Sequence, residues 1–425
     1  MNYQNTLEFA RQQDATDPLK EFRSRFHIPQ HNGRDTVYFT GNSLGLQPKA
    51  TRDYIGQELD DWARLGVEGH FHAQNPWLHY HELFPSLLAP IVGALPEEVV
   101  AMNQLTVNLH LLMATFYRPA KERYKILCEA KAFPSDQYAF ESQARLHGYE
   151  PADAVIELAP REGEYHLRTE DILAAIDQYG HELALVIFGG VNYYSGQVFN
   201  MQAIADAAHN VGAFCGFDLA HAAGNIALRL HDWDVDFACW CSYKYLNSGP
   251  GSVAGAFIHQ KHCTNPALPR MAGWWGYEKE TRFQMKPLFK AIPTAEGWQL
   301  SNAPVLSMAA HRASLDLFAE AGMEALLAKS SALTGFLFHV LDDINAAQEV
   351  KMIEVITPRA EEAHGCQVSM LMLQKGRDVF KALSDRGVVA DWREPNVIRV
   401  APVPLYNSFE DVWTFGKIIS EILGK

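Results

Sequence analysis

The sequence has no run approaching about 18 uninterrupted apolar residues, so it offers no membrane-spanning helix. Its first residues, MNYQNTLEFARQQDATD, are polar and lack the apolar centre of a secretory signal. Basic residues are in deficit. With 36 Lys and Arg against 50 Asp and Glu, the formal charge is −14, the wrong sign for a nucleic-acid binder. No block of five or six like charges suggests an interaction tail. Cysteines number six, at 128, 215, 239, 241, 263 and 366, and no two form a CxxC pair. Cys239 and Cys241 alternate on a strand-like run and are expected to be buried. Free thiols in a reducing, cytoplasmic setting are the expectation. Internal repeats, low-complexity segments and long linkers are also missing.

What is present is a globular composition, 48% hydrophobic and 20% charged. Short apolar runs recur at 125–130 (KILCEA), 154–159 (AVIELA), 183–190 (LALVIFGG), 214–220 (FCGFDLA), 237–243 (FACWCSY) and 253–259 (VAGAFIH). They lack strict alternation, as expected of strands buried on both faces. Segments 170–179 and 201–211 have helical spacing and separate several of them. This βαβ succession predicts a mostly parallel sheet flanked by helices. The short NSGPG gap allows the 253–259 run to return antiparallel. Beyond about residue 300, the pattern predicts a helix over 309–329 and a second over 331–345. Strands follow at 350–356, 367–373 and 397–400. Ser408 opens a last helix with an S-x-x-D capping box. This region reads as a smaller α+β domain.

Two strand ends carry chemistry. Asp218 interrupts an apolar run, and a buried carboxylate costs several kcal/mol unless donors or a cation answer it. Lys244 follows the 237–243 run and precedes Gly249-Pro250-Gly251. Each has a plain alternative: a loop cap for Asp218, a lysine reaching to water for Lys244. Together, at neighbouring strand ends, they are the pair that pyridoxal phosphate requires, a carboxylate for the ring nitrogen and an amine for the aldehyde. Thr106 and the N–H groups of a helix start could cradle the phosphate. Phe133 could stack on the ring, or simply pack. Ser135 and Asp136 follow it, either in the site or as an N-cap.

Three other motifs carry less. Gly41-Asn42-Ser43-Leu44-Gly45 matches G-x-S-x-G but precedes the βαβ series, where no nucleophile elbow belongs. His70-x-His72 and His79-x-His81 lack partners at metal-ligand spacing, so no metal is expected. Gly249-Pro250-Gly251 comes too late in the sheet for a dinucleotide loop.

Longer strings carry a resemblance. The segments 42–48 (NSLGLQP), 105–110 (LTVNLH), 217–222 (FDLAHA), 237–247 (FACWCSYKYLN) and 399–408 (RVAPVPLYNS) resemble kynureninases, from about residue 35 to the C-terminus. The resemblance implies an α/β, fold-type-I, pyridoxal-phosphate transferase-like fold. It would comprise an N-terminal segment (1–60) that completes the small domain and the active-site rim, a large domain (61–305) and a small α+β domain (306–425). It implies a homodimer with shared active sites and a small-molecule substrate. The reaction would be hydrolytic cleavage of L-kynurenine to anthranilate and L-alanine, and of 3-hydroxykynurenine to 3-hydroxyanthranilate and L-alanine. Another fold-type-I enzyme, a cysteine desulfurase or an aminotransferase, is the alternative, and Cys366 is the thiol a desulfurase would need.

Carried over by position, Lys244 is the Schiff-base lysine and Asp218 the ring-nitrogen partner, with His221 beside it. Phe133 stacks, and Pro134, Ser135 and Asp136 form the same loop. Leu105, Thr106 and Tyr243 hold the phosphate, and Tyr243 is also a candidate acid. Trp274 and Asn302 resemble contacts that come from the partner subunit. Arg399 resembles the fork for the substrate α-carboxylate. Ser43, His70 and Asn302 match positions around the substrate's aromatic ring. Gly189 departs from the pattern, because a small hydroxyl residue is usual there.

Overall fold

The computed structural model describes residues 2–265 and 267–424. The apolar runs form one seven-stranded sheet of β1 (Val99–Ala101), β2 (Lys125–Glu129), β3 (Val155–Leu158), β4 (Leu183–Gly189), β5 (Phe214–Asp218), β6 (Phe237–Trp240) and β7 (Gly255–Ile258). The spatial order is β1-β7-β6-β5-β4-β2-β3. From β3 to β6 the neighbours are parallel. β7 returns antiparallel to β6 and pairs antiparallel with β1. The edge strand β1 is an addition to the sequence expectation: only three residues long, it follows Pro96-Glu97-Glu98 and gives no periodic signal.

Helices α1 (Leu105–Phe116), α2 (Pro134–Leu146), α3 (Thr169–Tyr179) and α4 (Met201–Asn210) alternate with these strands. The side chain of Asn200 caps α4 by accepting from the Ala203 N–H at 3.1 Å. α2 begins with Pro134, whose fixed φ suits the first helical position. The chain runs from β2 out to the edge strand β3 and returns to β4 on the other side of β2. That reversal opens a crevice beyond the C-terminal ends of β2 and β4, the place where open α/β sheets bind ligands.

The two helices expected over 309–329 and 331–345 are α5 (Val305–Ala321) and α6 (Met323–Ala346), with the break at residue 322 rather than near 330. Gly322 separates them at φ +74°, a left-handed conformation that favours glycine. Leu315, Leu317 and Phe318 of α5 pack into the same core as β4 and β5. A second core gathers Leu333, Phe336 and Leu337 of α6 around a four-stranded antiparallel sheet. Its strands are β8 (Ile353–Val355), β9 (Val368–Met372), β10 (Asp391–Arg393) and β11 (Val397–Val400), in the order β8-β9-β11-β10. Phe9, Val37 and Phe39 from the N-terminal region enter this second core. Helix α7 (Phe409–Leu423) closes it, with the Ser408–Asp411 capping box in place. No helix among the described residues is long and apolar enough to cross a membrane.

Candidate active site

Three strand ends, a helix start and one turn converge on a cavity of about 70 Å³. Its lining includes Leu105 and Thr106 at the start of α1, Phe133, Ser135 and Asp136 after β2, and Gly189 after β4. Asp218 and His221 after β5, and Tyr243 and Lys244 after β6, complete the predicted set. β6 ends at Trp240, so Lys244 stands in the turn beyond the strand rather than on its last residue. Its Nζ lies 3.0 Å from His221 Nε2 and 5.8 Å from the centroid of the Phe133 ring.

Burial dominates the electrostatics of the cavity. Burial pushes the Asp218 carboxyl up, opposed by the Ala220 N–H and by the charge of Lys244. That N–H donates to Asp218 Oδ1 at 2.6 Å. Burial, and then the neighbouring Asp218 charge, push Asp136 well above the usual carboxylate range. Burial and then Lys244 hold His221 well below an ordinary imidazole, so it is neutral. Burial also raises the Tyr243 phenol, which therefore keeps its proton. Asp136 Oδ1 and His221 Nδ1 are buried with no hydrogen-bond partner in the protein. Such orphans are costly unless a ligand answers them.

Other predicted residues lie elsewhere in the chain. Pro134 starts α2 and does not line the cavity. Trp274 is half exposed, its indole N–H directed to the Arg282 carbonyl. Asn302 lines a separate cleft with Asn103, Gln104 and Gly251. The ring of His70 packs edge-on against Trp77 at 5.5 Å. Ser43 is exposed, in the turn after Thr40. Arg399 is fully buried in β11, with Nη2 2.8 Å from Asp391 Oδ2. Its Nη1 donates to the Tyr193 carbonyl, and Tyr193 itself lines the cavity.

Sequence reasoning passed over Glu129, Val191, Tyr193 and Cys241, all of which line the cavity. Glu129 was open to detection: like Asp218, it is an acid closing an apolar strand. The others carried no signal. Of the two histidine pairs that raised a metal reading, the second has close protein partners, His79 with Glu82 and His81 with Glu296, and in the first His72 Nε2 lies 3.7 Å from Glu68. Lys279 Nζ sits 2.8 Å from both Glu82 and Glu296, so an ammonium already answers those carboxylates.

The cavity fits pyridoxal 5′-phosphate. A lysine and a carboxylate face one space, with an exposed aromatic ring beside them. The N-terminus of α1, with no side-chain cap on its free N–H groups, supplies an anion site. The buried, unpartnered Asp136 Oδ1 and His221 Nδ1 suit the polar atoms of such a group.

Solved structures share the fold. A cysteine desulfurase from Thermococcus onnurineus has the same fold, with a TM-score of 0.74 at 17% identity over all of both chains. A cysteine desulfurase from Escherichia coli gives 0.75 at 14% identity, covering 96% of this chain and 98% of that one. Fold and site together define a fold-type-I enzyme that uses pyridoxal phosphate. At such identities, likeness to the desulfurases concerns the fold alone.

Full-length relatives narrow the class. The kynureninase of Flavobacterium psychrophilum is 57% identical over 422 residues, 99% of each chain. That of Myxococcus xanthus is 55% identical over 98% of this chain and 97% of its own. Residues 326–419 match the kynureninase C-terminal domain. The chain belongs to the kynureninase family.

Proposed function

We infer that this chain hydrolyses the Cβ–Cγ bond of L-kynurenine, giving anthranilate and L-alanine, as a step of tryptophan catabolism. The observation that carries the reading is the placement of Lys244 and Asp218 around one cavity, in a chain 57% identical to a kynureninase over its whole length. Bound pyridoxal phosphate supplies an aldehyde for the substrate amine and a protonated ring that draws electrons from Cα. Asp218 keeps that ring protonated. Leu105, Thr106 and Tyr243 hold the phosphate, and Phe133 covers the ring. The Nζ of Lys244 takes the Cα proton, with neutral His221 as its neighbour. Water adds to the γ-carbonyl, and Tyr243, still protonated, donates to the carbonyl oxygen. Asp136 and Ser135 order the loop. Gly189 contributes backbone alone.

Arg399 binds the α-carboxylate in this reading, with Tyr193 and Asp391 fixing its orientation. Trp274 and Asn302 serve the site of a partner subunit. Their positions outside the chain's own cavity support a homodimer, as do the exposed Met271, Trp274, Met285 and Leu288. Ser43, His70 and Asn302 lie around the substrate's aromatic ring in this reading. All three can hydrogen-bond a ring hydroxyl, which favours 3-hydroxykynurenine as at least an equal substrate. The division into residues 1–60, 61–305 and 306–425 accompanies this reading, with α5 packed on the large domain. So does a cytoplasmic setting, supported by six buried, unpaired thiols.

A desulfurase activity is disfavoured by Cys366. It is buried, and burial pushes its thiol up to about 12, away from the thiolate that the chemistry needs. Incubation with kynurenine, cysteine or an oxo-acid separates the readings. Anthranilate fluorescence is expected, without sulfide; sulfide without anthranilate would reverse the conclusion.

A further inference from the structure

Glu129 closes β2 and Gly189 closes β4, at the point where the sheet reverses its order. The Gly189 N–H donates to both Glu129 oxygens, at 3.1 and 3.2 Å. Glu129 is 6% exposed. A Cβ at residue 189 would lie 3.0 Å from Oε1, so a side chain there would press on the carboxyl. A glycine at 189 and a carboxylate at 129 therefore form one unit that bridges the diverging strands.

This unit lines the same cavity as Asp136 and Asp218. Burial pushes all three carboxyls up, and the charge of Asp218 pushes up both of the others. Charge and proton-bearing groups face them from several elements. Lys244 and Tyr243 come from the turn after β6, His221 from the turn after β5, and Asp136 from α2. The thiols of Cys128, Cys239 and Cys241 lie in the adjoining strands and turn, held up by burial as well as by these carboxyls. Arg393 and Arg399 act on His221 from the small domain.

We propose that Glu129, held by Gly189, is a positioning residue that sets how many protons the Asp136–Asp218 pair carries, and through that pair tunes the bound cofactor. The proposal rests on the reading of the cavity as a pyridoxal-phosphate site. Glu129 touches neither substrate nor cofactor in this account. Burial raises its carboxyl to about 7, with the Gly189 N–H opposing, so its charge changes within the working pH range.

The test is an absorbance titration of the pyridoxal-phosphate-loaded protein between about pH 6 and 9, for the parent, Glu129→Gln and Gly189→Ala. Both variants are expected to load stoichiometrically. Glu129→Gln removes the charge that keeps a proton on the Asp136–Asp218 pair, so the pair ionises more fully and the midpoint of the cationic cofactor rises by about 0.5 pH unit or more; a fall would mean that Glu129 acts on the cofactor directly and would overturn the proposal. Gly189→Ala displaces the carboxyl and moves the midpoint the same way by a smaller amount. Calorimetry of the cofactor-free proteins provides a second reading. Between about pH 5 and 7.5, the parent should lose more stability than Glu129→Gln, because only the parent must release that proton. Coincident midpoints and parallel pH–stability curves would overturn the proposal while leaving the cofactor reading intact. Failure of the parent to take up pyridoxal phosphate would overturn the reading of the cavity itself.

Discussion

Asp218 closes β5 at the C-terminal edge of the sheet, and Asp236 stands just before β6 at the opposite edge. Both are buried. Asp236 accepts from His209 Nε2 at 2.9 Å, His262 Nε2 at 2.7 Å and the Cys215 N–H at 2.7 Å, with Lys261 Nζ at 3.2 Å. Burial alone would raise its carboxyl, but these partners outweigh burial and hold it well below the usual range. Asp218 has the Ala220 N–H and a lysine that the chemistry needs elsewhere, and burial wins. Similar side chains at two ends of one sheet thus do different work. The answered carboxylate ties loops together; the under-answered one is poised for a cation from outside.

The largest effect that would sharpen this contrast is at the amine. Lys244→Ala should cut turnover by more than about a thousandfold, because no other group can both hold the aldehyde and move the proton. The circular dichroism spectrum should be unchanged. Anthranilate production above a trace would refute the assignment.

Exchanging the two aspartates for asparagine breaks the comparison directly. Asp236→Asn should cost about 3 kcal/mol of unfolding free energy in denaturant titration, as expected when a buried ionic network loses its carboxylate. Its kcat per folded molecule should persist. Asp218→Asn should do the reverse, leaving cofactor-free stability within about 1 kcal/mol and lowering kcat more than about tenfold. Equal stability losses in both variants would erase the distinction.

The two ends should also respond oppositely to pH. A carboxyl held low in the folded state contributes stability above its unfolded value, lost as pH falls through the folded one. Asp236 should therefore support the fold at neutral pH and fail it in acid. Asp218, raised by folding, contributes stability that is complete below its unfolded value and is lost as pH rises through the folded one. Melting curves of the cofactor-free asparagine variants against pH should diverge from the parent in opposite senses. A smaller effect belongs to the small domain: Arg399→Lys should raise KM for kynurenine about tenfold while leaving cofactor loading intact. Loss of cofactor instead would place Arg399 in the cofactor's own shell.

How much of this was readable beforehand follows from where the signal resides. Strands buried on both faces are continuous apolar runs, so β2 and β4 to β7 stood out with ends within a few residues, and the edge strand β3 was short but apolar enough to be seen. An acid at the end of such a run is equally conspicuous, which exposed Asp218. Glu129 carried the same mark, but that three acids converge depends on β4 lying between β2 and β5, and sheet order is not written in local pattern. The break at Gly322 was hidden because good helix formers flank it and a single glycine costs only about 1 kcal/mol. The positions of Trp274, Asn302, His70 and Ser43 outside the cavity reflect long-range packing that no motif encodes.

The central claim is that Lys244, facing Asp218, is the lysine that holds the cofactor. Loading the protein with pyridoxal phosphate, reducing it with borohydride and locating the pyridoxyl group by peptide mass spectrometry tests this directly. The account predicts a single modified lysine, Lys244, and loss of the label in Lys244→Ala. Label on a different lysine, or none on a protein that has bound the cofactor, would contradict it.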